Sequence, residues 1–313
     1  MNAPQHGATL SGDTVGSLVE SGAQCLAAAG VSFGHGTTNA HDEAAWLVLW
    51  CLGLPLDSDL SDAPDSIQKQ PVAPADQARL ATLFEERIRT RKPAAYLTRE
   101  AWLQGVPFYV DERAIVPRSF IAELIADADQ SGSLAYWLGE HTRRVLDLCT
   151  GNGSLAVLAA MAWPDVVVDA ADISPDALAV ARINVDKHAL AGRIRLHTSD
   201  GLQALTSPDH VYDLILCNPP YVNSASMAAL PAEYQADPAL ALAGGDDGMD
   251  FIRSLLRDAP SRMSKSAVLV LEIGNERGYF EAAFPSLEVV WLETSAGYDQ
   301  VLLVTREALV ALG

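Results

Sequence analysis

Residues Asn218-Pro219-Pro220-Tyr221 interrupt an apolar run, LILC, where a strand would leave the core. Their types suit one kind of chemistry. A planar amino group whose lone pair is delocalised into a ring or carbonyl is a poor nucleophile, and no general base usefully deprotonates it near neutral pH. It is helped instead by acceptors that hold both N–H bonds and aim the nitrogen at an electrophile. The Asn218 side-chain oxygen can take one N–H and the backbone carbonyl of Pro219 the other. Two prolines fix φ and withdraw two N–H groups, leaving a rigid turn with outward-pointing carbonyls. The ring of Tyr221 can lie on the flat face of the bound group. Such a site works by alignment, exclusion of water and relief of charge developing on nitrogen. The competing use of these residues is a Pro-Pro turn that ends a strand, with Tyr221 packed beneath it.

A second constellation lies upstream. In DLCTGNGSLAVLAA a strand runs into Gly151-Asn152-Gly153 and then a helix, and Gly151, Gly153 and Ala156 fit G-x-G-x-x-A. Glycines there permit a tight turn and let a ligand approach the backbone at the positive end of a helix. The next strand ends in Asp172, 19 residues past Gly153, where a carboxylate can accept both ribose hydroxyls or cap the turn before SPDAL. Asp200 ends the third strand and can accept from an adenine amino group, or serve as a loop residue. Three features at the carboxyl ends of three consecutive strands point to an adenine nucleoside. NAD would require a nicotinamide pocket and a proton-transfer group, often His. Of the seven histidines only His197 falls at the end of a core strand, where it reads as structural. S-adenosylmethionine is the other choice, and NPPY is the matching clamp for a methyl acceptor. Cys149 and Cys217 fall at the ends of neighbouring strands beside this crevice, where small apolar packing is expected over a redox role.

These groups need a scaffold, and the chain has two textures. From Asp13 to about Arg91 the pattern is helical: DTVGSLVESGAQCLAAAG stops at Gly30, HDEAAWLVLWCLG follows the potential caps Thr38 and Asn39, and ADQARLATLFEERIRTR halts before Pro93. A Pro/Ser/Asp-rich loop separates the second and third helices. After residue 140, RRVLDLC, VVVDAAD, RIRLHTS, YDLILC and AVLVLEIG alternate with helical stretches, the mark of a parallel sheet covered on both faces. Only SAG separates LEVVWLET from YDQVLLVTRE, which makes an antiparallel hairpin, because a parallel crossover needs about a dozen residues or more. The expected fold is α/β: an N-terminal helical domain and a doubly wound, mainly parallel Rossmann-like sheet ending in a hairpin. The expected division is a disordered 1–12, a helical substrate-recognition domain over 13–100, a connecting hairpin and helix over 101–140, and the catalytic domain over 141–313.

The totals narrow the company this fold keeps. Among 313 residues, 21 basic and 40 acidic side chains give a formal charge of −19. That repels phosphate and attracts a basic polypeptide, so stable nucleic-acid binding is not expected. The four cysteines show no CxxC pair and no zinc-ligand spacing with histidines, so no metal site is expected and the setting reads as reducing. The N-terminus lacks a signal-peptide pattern, and the longest apolar run, AAWLVLWCLGLPL, is too short to span a bilayer. A cytoplasmic protein without a membrane partner is expected.

Several segments together resemble a known family. KPAAYLTREAWLQGVPFYV, VPRSFIAELI, DLCTGNG, NPPYV, ALAGGDDGMD and LEIG are similar to motifs of the protein-glutamine methyltransferases related to the release-factor enzyme, over about residues 40 to 308. The resemblance implies S-adenosylmethionine as methyl donor. It places Asp147, Cys149, Thr150, Gly151, Asn152, Gly153, Asp172 and Asp200 at the cofactor, and Asn218, Pro219, Pro220 and Tyr221 at the substrate. Phe108 falls at the family's aromatic position near the reaction centre, though apolar packing fits it equally. PRS followed by IAELI resembles the branch that methylates a glutamine of large-subunit ribosomal protein L-three, whereas the release-factor branch carries PRPDTE there; Phe120 stands in place of an expected proline. The implied partner is the free, basic ribosomal protein. Arg118 reads equally as a structural anchor or a substrate contact. Asp246, Asp247 and Asp250 read as caps for the following helix, or as an attraction for the basic substrate. The rival is an adenine- or cytosine-amino methyltransferase on nucleic acid, since PRSFIAEL is also similar to a segment of some of those enzymes. A non-catalytic nucleoside-binding assembly factor is the third reading.

Overall fold

The computed structural model describes residues 10–127 and 134–312. The disorder expected for residues 1–12 falls largely on residues 1–9, outside the described ones. Two compact units emerge. The first comprises the described residues up to Glu100 together with Pro231–Ala236, and the second comprises Ala101–Leu230 and the residues from Asp237 onward.

In the first unit, helix α1 (Val15–Ala28) begins in a capping box between Thr14 and Ser17. Of the two cap candidates for α2 (Ala40–Leu52), Asn39 takes the role by accepting the Asp42 N–H, and Gly53 ends the helix in the left-handed conformation. Helix α3 (Pro74–Thr90) uses Pro74 at its first position, and the short α4 (Ala94–Thr98) follows Pro93. Leu18, Leu26, Leu47, Leu49, Leu80 and Phe84 are buried in this unit, each worth about 1.5–3 kcal/mol of transfer free energy. Inside it lies an ion cluster. Arg87, 1% exposed, donates from Nε to Glu43 at 2.7 Å and from Nη2 to the Ser32 carbonyl at 3.0 Å. Glu233 brings Pro231–Ala236 into the same cluster: it accepts the Ser32 N–H at 3.1 Å and lies 3.5 Å from Arg91 and 3.6 Å from Arg87.

Strands β1 (Glu100–Leu103) and β2 (Val106–Tyr109) form a small two-stranded sheet, followed by α5 (Ile121–Ala126). The main sheet then alternates with helices: β3 (Arg144–Leu148), α6 (Ser154–Ala162), β4 (Val167–Asp172), α7 (Pro175–Lys187), β5 (Ile194–Thr198), β6 (Tyr212–Cys217), α8 (Ser224–Ala229), α9 (Asp250–Asp258), β7 (Met263–Glu272), α10 (Arg277–Ala283), β8 (Val290–Thr294), β9 (Gly297–Thr305) and α11 (Arg306–Leu312). The spatial order is β5-β4-β3-β6-β7-β9-β8. The first five are parallel, and β9 runs antiparallel to both β7 and β8, as the short SAG link requires. Near-continuous apolar strands reflect burial on both faces. Val145, Val168, Leu214 and Val270 belong to one core layer, and Leu146, Leu148, Ile215 and Leu269 to the other. Strand order reverses between β3 and β6, which makes their carboxyl ends the crevice of the sheet. No helix of the described residues is long and apolar enough to cross a membrane; the apolar run at 44–56 falls on α2, where Ala44, Leu47, Val48 and Leu49 are buried.

Candidate active site

The strand register brings the two constellations together. Leu148, the last residue of β3, pairs with Cys217, the last of β6, so the chain turns into the glycine loop from one strand and into NPPY from the next. On the other side Leu148 pairs with Ala171, one residue before Asp172. Asp172 in turn pairs with Thr198, two residues before Asp200.

The glycine loop is built on a buried carboxylate. Asp147, 1% exposed, accepts the Thr150 hydroxyl and the Ala156 N–H on Oδ2. It therefore sits behind the loop and ties it to the start of α6. Burial, partly offset by those hydrogen bonds, pushes its carboxyl up to about 7. Cys149 turns the chain at φ 60°, a left-handed conformation that costs a non-glycine residue energy, followed by Gly151 at φ 55° and Gly153 at φ 81°. Asp172 closes the loop from the next strand, accepting the Gly151 and Ser174 N–H groups at 2.9 Å each. Burial raises its carboxyl, against those backbone donors. Ser174, rather than Asp172, caps α7. The Nδ2 of buried Asn152 has no hydrogen-bond partner among the described residues. Asp200 is exposed and lines a cleft with Gly201, Leu202 and Phe251.

Asn218 is half-buried, and its side chain makes no hydrogen bond among the described residues. Pro219 is buried, and Pro220 and Tyr221 are partly so. The Tyr221 ring packs over Gly274, where a Cβ would come within 2.5 Å of the ring. The backbone leaving the clamp is held by ALAGGDDGMD: the Val222 N–H donates to Leu242, and the Gly244 N–H donates back to Val222, both at 2.9 Å. Asn223 fixes the turn further, donating to both carboxylate oxygens of Glu276 and capping α8. Burial pushes the Cys217 thiol up, and the neighbouring Cys149 thiol adds to that shift.

Other expectations resolve differently. Phe108 does not face the crevice: it is fully buried in the core layer with Ile121 and Leu124, its ring 5.4 Å from that of His188. That corrects its assignment near the cofactor, because a side chain with no accessible surface offers a ligand no face. Asp247 accepts the Met249 N–H and pairs with Arg253, Asp246 meets the Ser224 hydroxyl at 3.3 Å, and α9 has no side-chain cap at its N-cap, Met249. The acidic loop is therefore a folded turn more than a helix cap. Arg118 donates to buried Asp237 at 3.2 Å.

Sequence reasoning missed two supports. Asn184, fully buried in α7, donates to the carbonyls of Asn152 and Tyr109 and accepts the Tyr109 N–H at 2.7 Å, clipping β2 to the glycine loop. Its signal was a lone amide among the apolar positions of INV. Glu272 ends β7 beside the clamp strand, pairing through Leu271 with Cys217. It accepts the Ser119 hydroxyl and the Phe120 N–H, which fixes the PRSF segment. Burial, against those bonds, pushes its carboxyl up to about 7. Ile173, directly after Asp172, is apolar yet 46% exposed.

Comparison with known proteins identifies relatives of the chain. Residues 129–234 match the methyltransferase small domain. A ribosomal protein uL3 glutamine methyltransferase of Bordetella pertussis is 50% identical over 298 residues, covering 95% of this chain and 96% of that protein. One of Burkholderia pseudomallei is 49% identical over 310 residues, 96% of each chain. Among solved structures, the hMettl16 catalytic domain in complex with a MAT2A 3'UTR hairpin superposes with a TM-score of 0.49 at 13% identity, covering 76% of this chain and 84% of that one. With half of its residues shared along nearly its full length, the chain belongs to the ribosomal protein uL3 glutamine methyltransferases.

Proposed function

We propose that the protein transfers a methyl group from S-adenosylmethionine to the side-chain amide nitrogen of a glutamine in ribosomal protein uL3. The observation that carries the reaction is the pairing of Leu148 with Cys217, which sets the glycine loop and the NPPY turn side by side. The names of the relatives supply the substrate.

The residues at the strand ends fit the methyl donor. Acceptors suited to ribose hydroxyls and an adenine amino group stand at Asp172 and Asp200, and a buried donor without a partner among the described residues waits at Asn152 Nδ2. A Cβ added at Gly151 would meet only the Ile115 methyl, at 3.7 Å, so its backbone faces an open approach. Bound S-adenosylmethionine supplies a methyl group on a cationic sulfur. Asn218 Oδ1 and the Pro219 carbonyl hold the two N–H bonds of the glutamine amide and turn its nitrogen toward that methyl. Tyr221, backed by Gly274, covers the amide plane. As the N–C bond forms and the S–C bond breaks, leaving a neutral thioether, the two carbonyl dipoles meet the positive charge that develops on nitrogen, and one N–H proton then leaves to solvent. Fixing the two reactants in line supplies most of the acceleration, since a neutral amide gains little from a general base.

The net charge of −19 supports a free basic protein as substrate over an assembled particle coated in RNA. The test is to mix enzyme and S-adenosylmethionine separately with free uL3, intact large subunits, a release factor and duplex DNA, then read methylation by mass. Methyl on one glutamine of free uL3, and little on the particle, is expected. Methyl on the release factor alone would move the protein to the sister branch, and methyl on DNA alone would refute the substrate class.

A further inference from the structure

Away from the crevice, three ligand-type side chains converge on the β5 side of the sheet. Asp169 lies in β4, His197 in β5, and His210 in the turn just before β6. One donor atom from each lies within 4.8 Å of the other two. Asp169 is 1% exposed. Its Oδ2 is held by the Tyr212 hydroxyl at 3.1 Å and Arg144 at 3.3 Å, while Oδ1 faces His197 Nε2 at 2.8 Å. The rings of His197 and His210 stand edge to face at 5.3 Å. His210 Nδ1 is buried and has no hydrogen-bond partner among the described residues.

From this arrangement we propose a site for a divalent transition metal, with zinc as the best match, ligated by Asp169 Oδ1, His197 and His210. One carboxylate and two neutral imidazoles are a ligand set that zinc accepts, with a fourth position for water. The side chain of His197 is 25% exposed, which leaves that position a path to solvent. Tyr212 and Arg144 act as the outer shell: they occupy Oδ2 and so orient Oδ1, the usual part of a second-shell partner. The orphaned Nδ1 of His210 is the observation that separates this site from an ordinary Asp–His hydrogen bond, because a buried imidazole nitrogen left unpaired is costly. Tetrahedral coordination sets donors roughly 3.4 Å apart, so His197 must draw back slightly from Asp169, now at 2.8 Å, while His210 closes in. The movable part is His210, which sits on a turn closed by its own N–H to the Ser207 carbonyl. The metal displaces the proton shared by His197 and Asp169, and that proton leaves to solvent.

Its role is structural. Asp169 stands three residues before Asp172 on the same strand, roughly 10 Å from the crevice end. A bound ion would pin edge strand β5 and the turn before β6, not join the reaction. Cysteine and histidine spacing gave no hint of it, because the ligands come from three separate elements.

The test is metal binding by the full chain. Titration with zinc should give one site per chain and a melting temperature raised by several degrees, reversed by chelator. Cobalt as a spectroscopic probe should give visible d–d bands without a thiolate charge-transfer band, which excludes binding at Cys149 and Cys217. His210→Ala should abolish both signals while keeping the metal-free melting temperature within a few degrees. His210→Gln serves if the alanine variant fails to fold. No stoichiometric binding, unchanged binding in the His210 variants, or a thiolate band would each overturn the site.

Discussion

The Cα of Gly248 lies against the backbone carbonyl of Tyr221: a Cβ placed at residue 248 would come within 2.2 Å of that oxygen. Gly248 also adopts φ 80°, so a side chain there meets both a clash with rigid backbone and an unfavourable conformation. The acidic loop thereby sets the height of the clamp. Gly248→Ala should lower stability by about 1–3 kcal/mol and cut methyl transfer by more than the fraction unfolded. Thermal melts beside initial rates check this; a variant that melts lower but turns over normally would uncouple the loop from the clamp.

Asn218 should carry substrate alignment without touching the methyl donor. Asn218→Ala is expected to reduce methyl transfer by about 10²–10³-fold, the usual cost of removing one preorganised polar group at a reacting centre. Binding of S-adenosylmethionine, followed by calorimetry, should stay within a factor of about two. Loss of donor binding in this variant would mean that Asn218 shapes the glycine loop rather than the substrate.

Asp172 presents the reverse case. It closes the loop through the Gly151 N–H, and under the proposed function its remaining acceptor capacity holds a ribose. Asp172→Ala should weaken donor affinity by about 10- to 100-fold, matching the loss of charge-assisted hydrogen bonds, while saturating donor restores much of the rate. Unchanged affinity would reduce Asp172 to a loop fastener.

Asn218 and Asp172 were legible in the residues, whereas Asn184, Glu272 and the seat of Gly248 were not, for a physical reason. Alternating apolar runs and glycines are local signals, so the strands, the hairpin after β8 and the strand-end motifs could be placed from sequence. Contacts that bridge distant segments leave no local trace. Ser119 and Glu272 lie 153 residues apart, and the Gly248–Tyr221 contact depends on how a long loop returns. Phe108 misled because an aromatic in an alternating strand can face either the core or a ligand; packing against Ile121 and His188 decides it.

Glu272 makes stability depend on pH. Burial raises its folded carboxyl from an ordinary 4.5 to about 7. The neutral acid is thus favoured in the folded state, and its contribution is full below about pH 4.5 and lost as pH rises through about 7. Between pH 5 and pH 8 the wild type should lose up to roughly 3 kcal/mol relative to Glu272→Gln. Denaturant melts of both proteins across that range measure it, and a pH-independent difference would contradict the burial of this acid.

The most direct test of the central claim is peptide-level mass spectrometry of free uL3 after incubation with S-adenosylmethionine and either wild-type enzyme or Asn218→Ala, at saturating donor. The clamp account predicts one methyl on the side-chain nitrogen of a single glutamine with the wild type, and almost none with the variant despite bound donor. Equal methylation by both proteins, or a methyl on any group other than a glutamine amide, would contradict it.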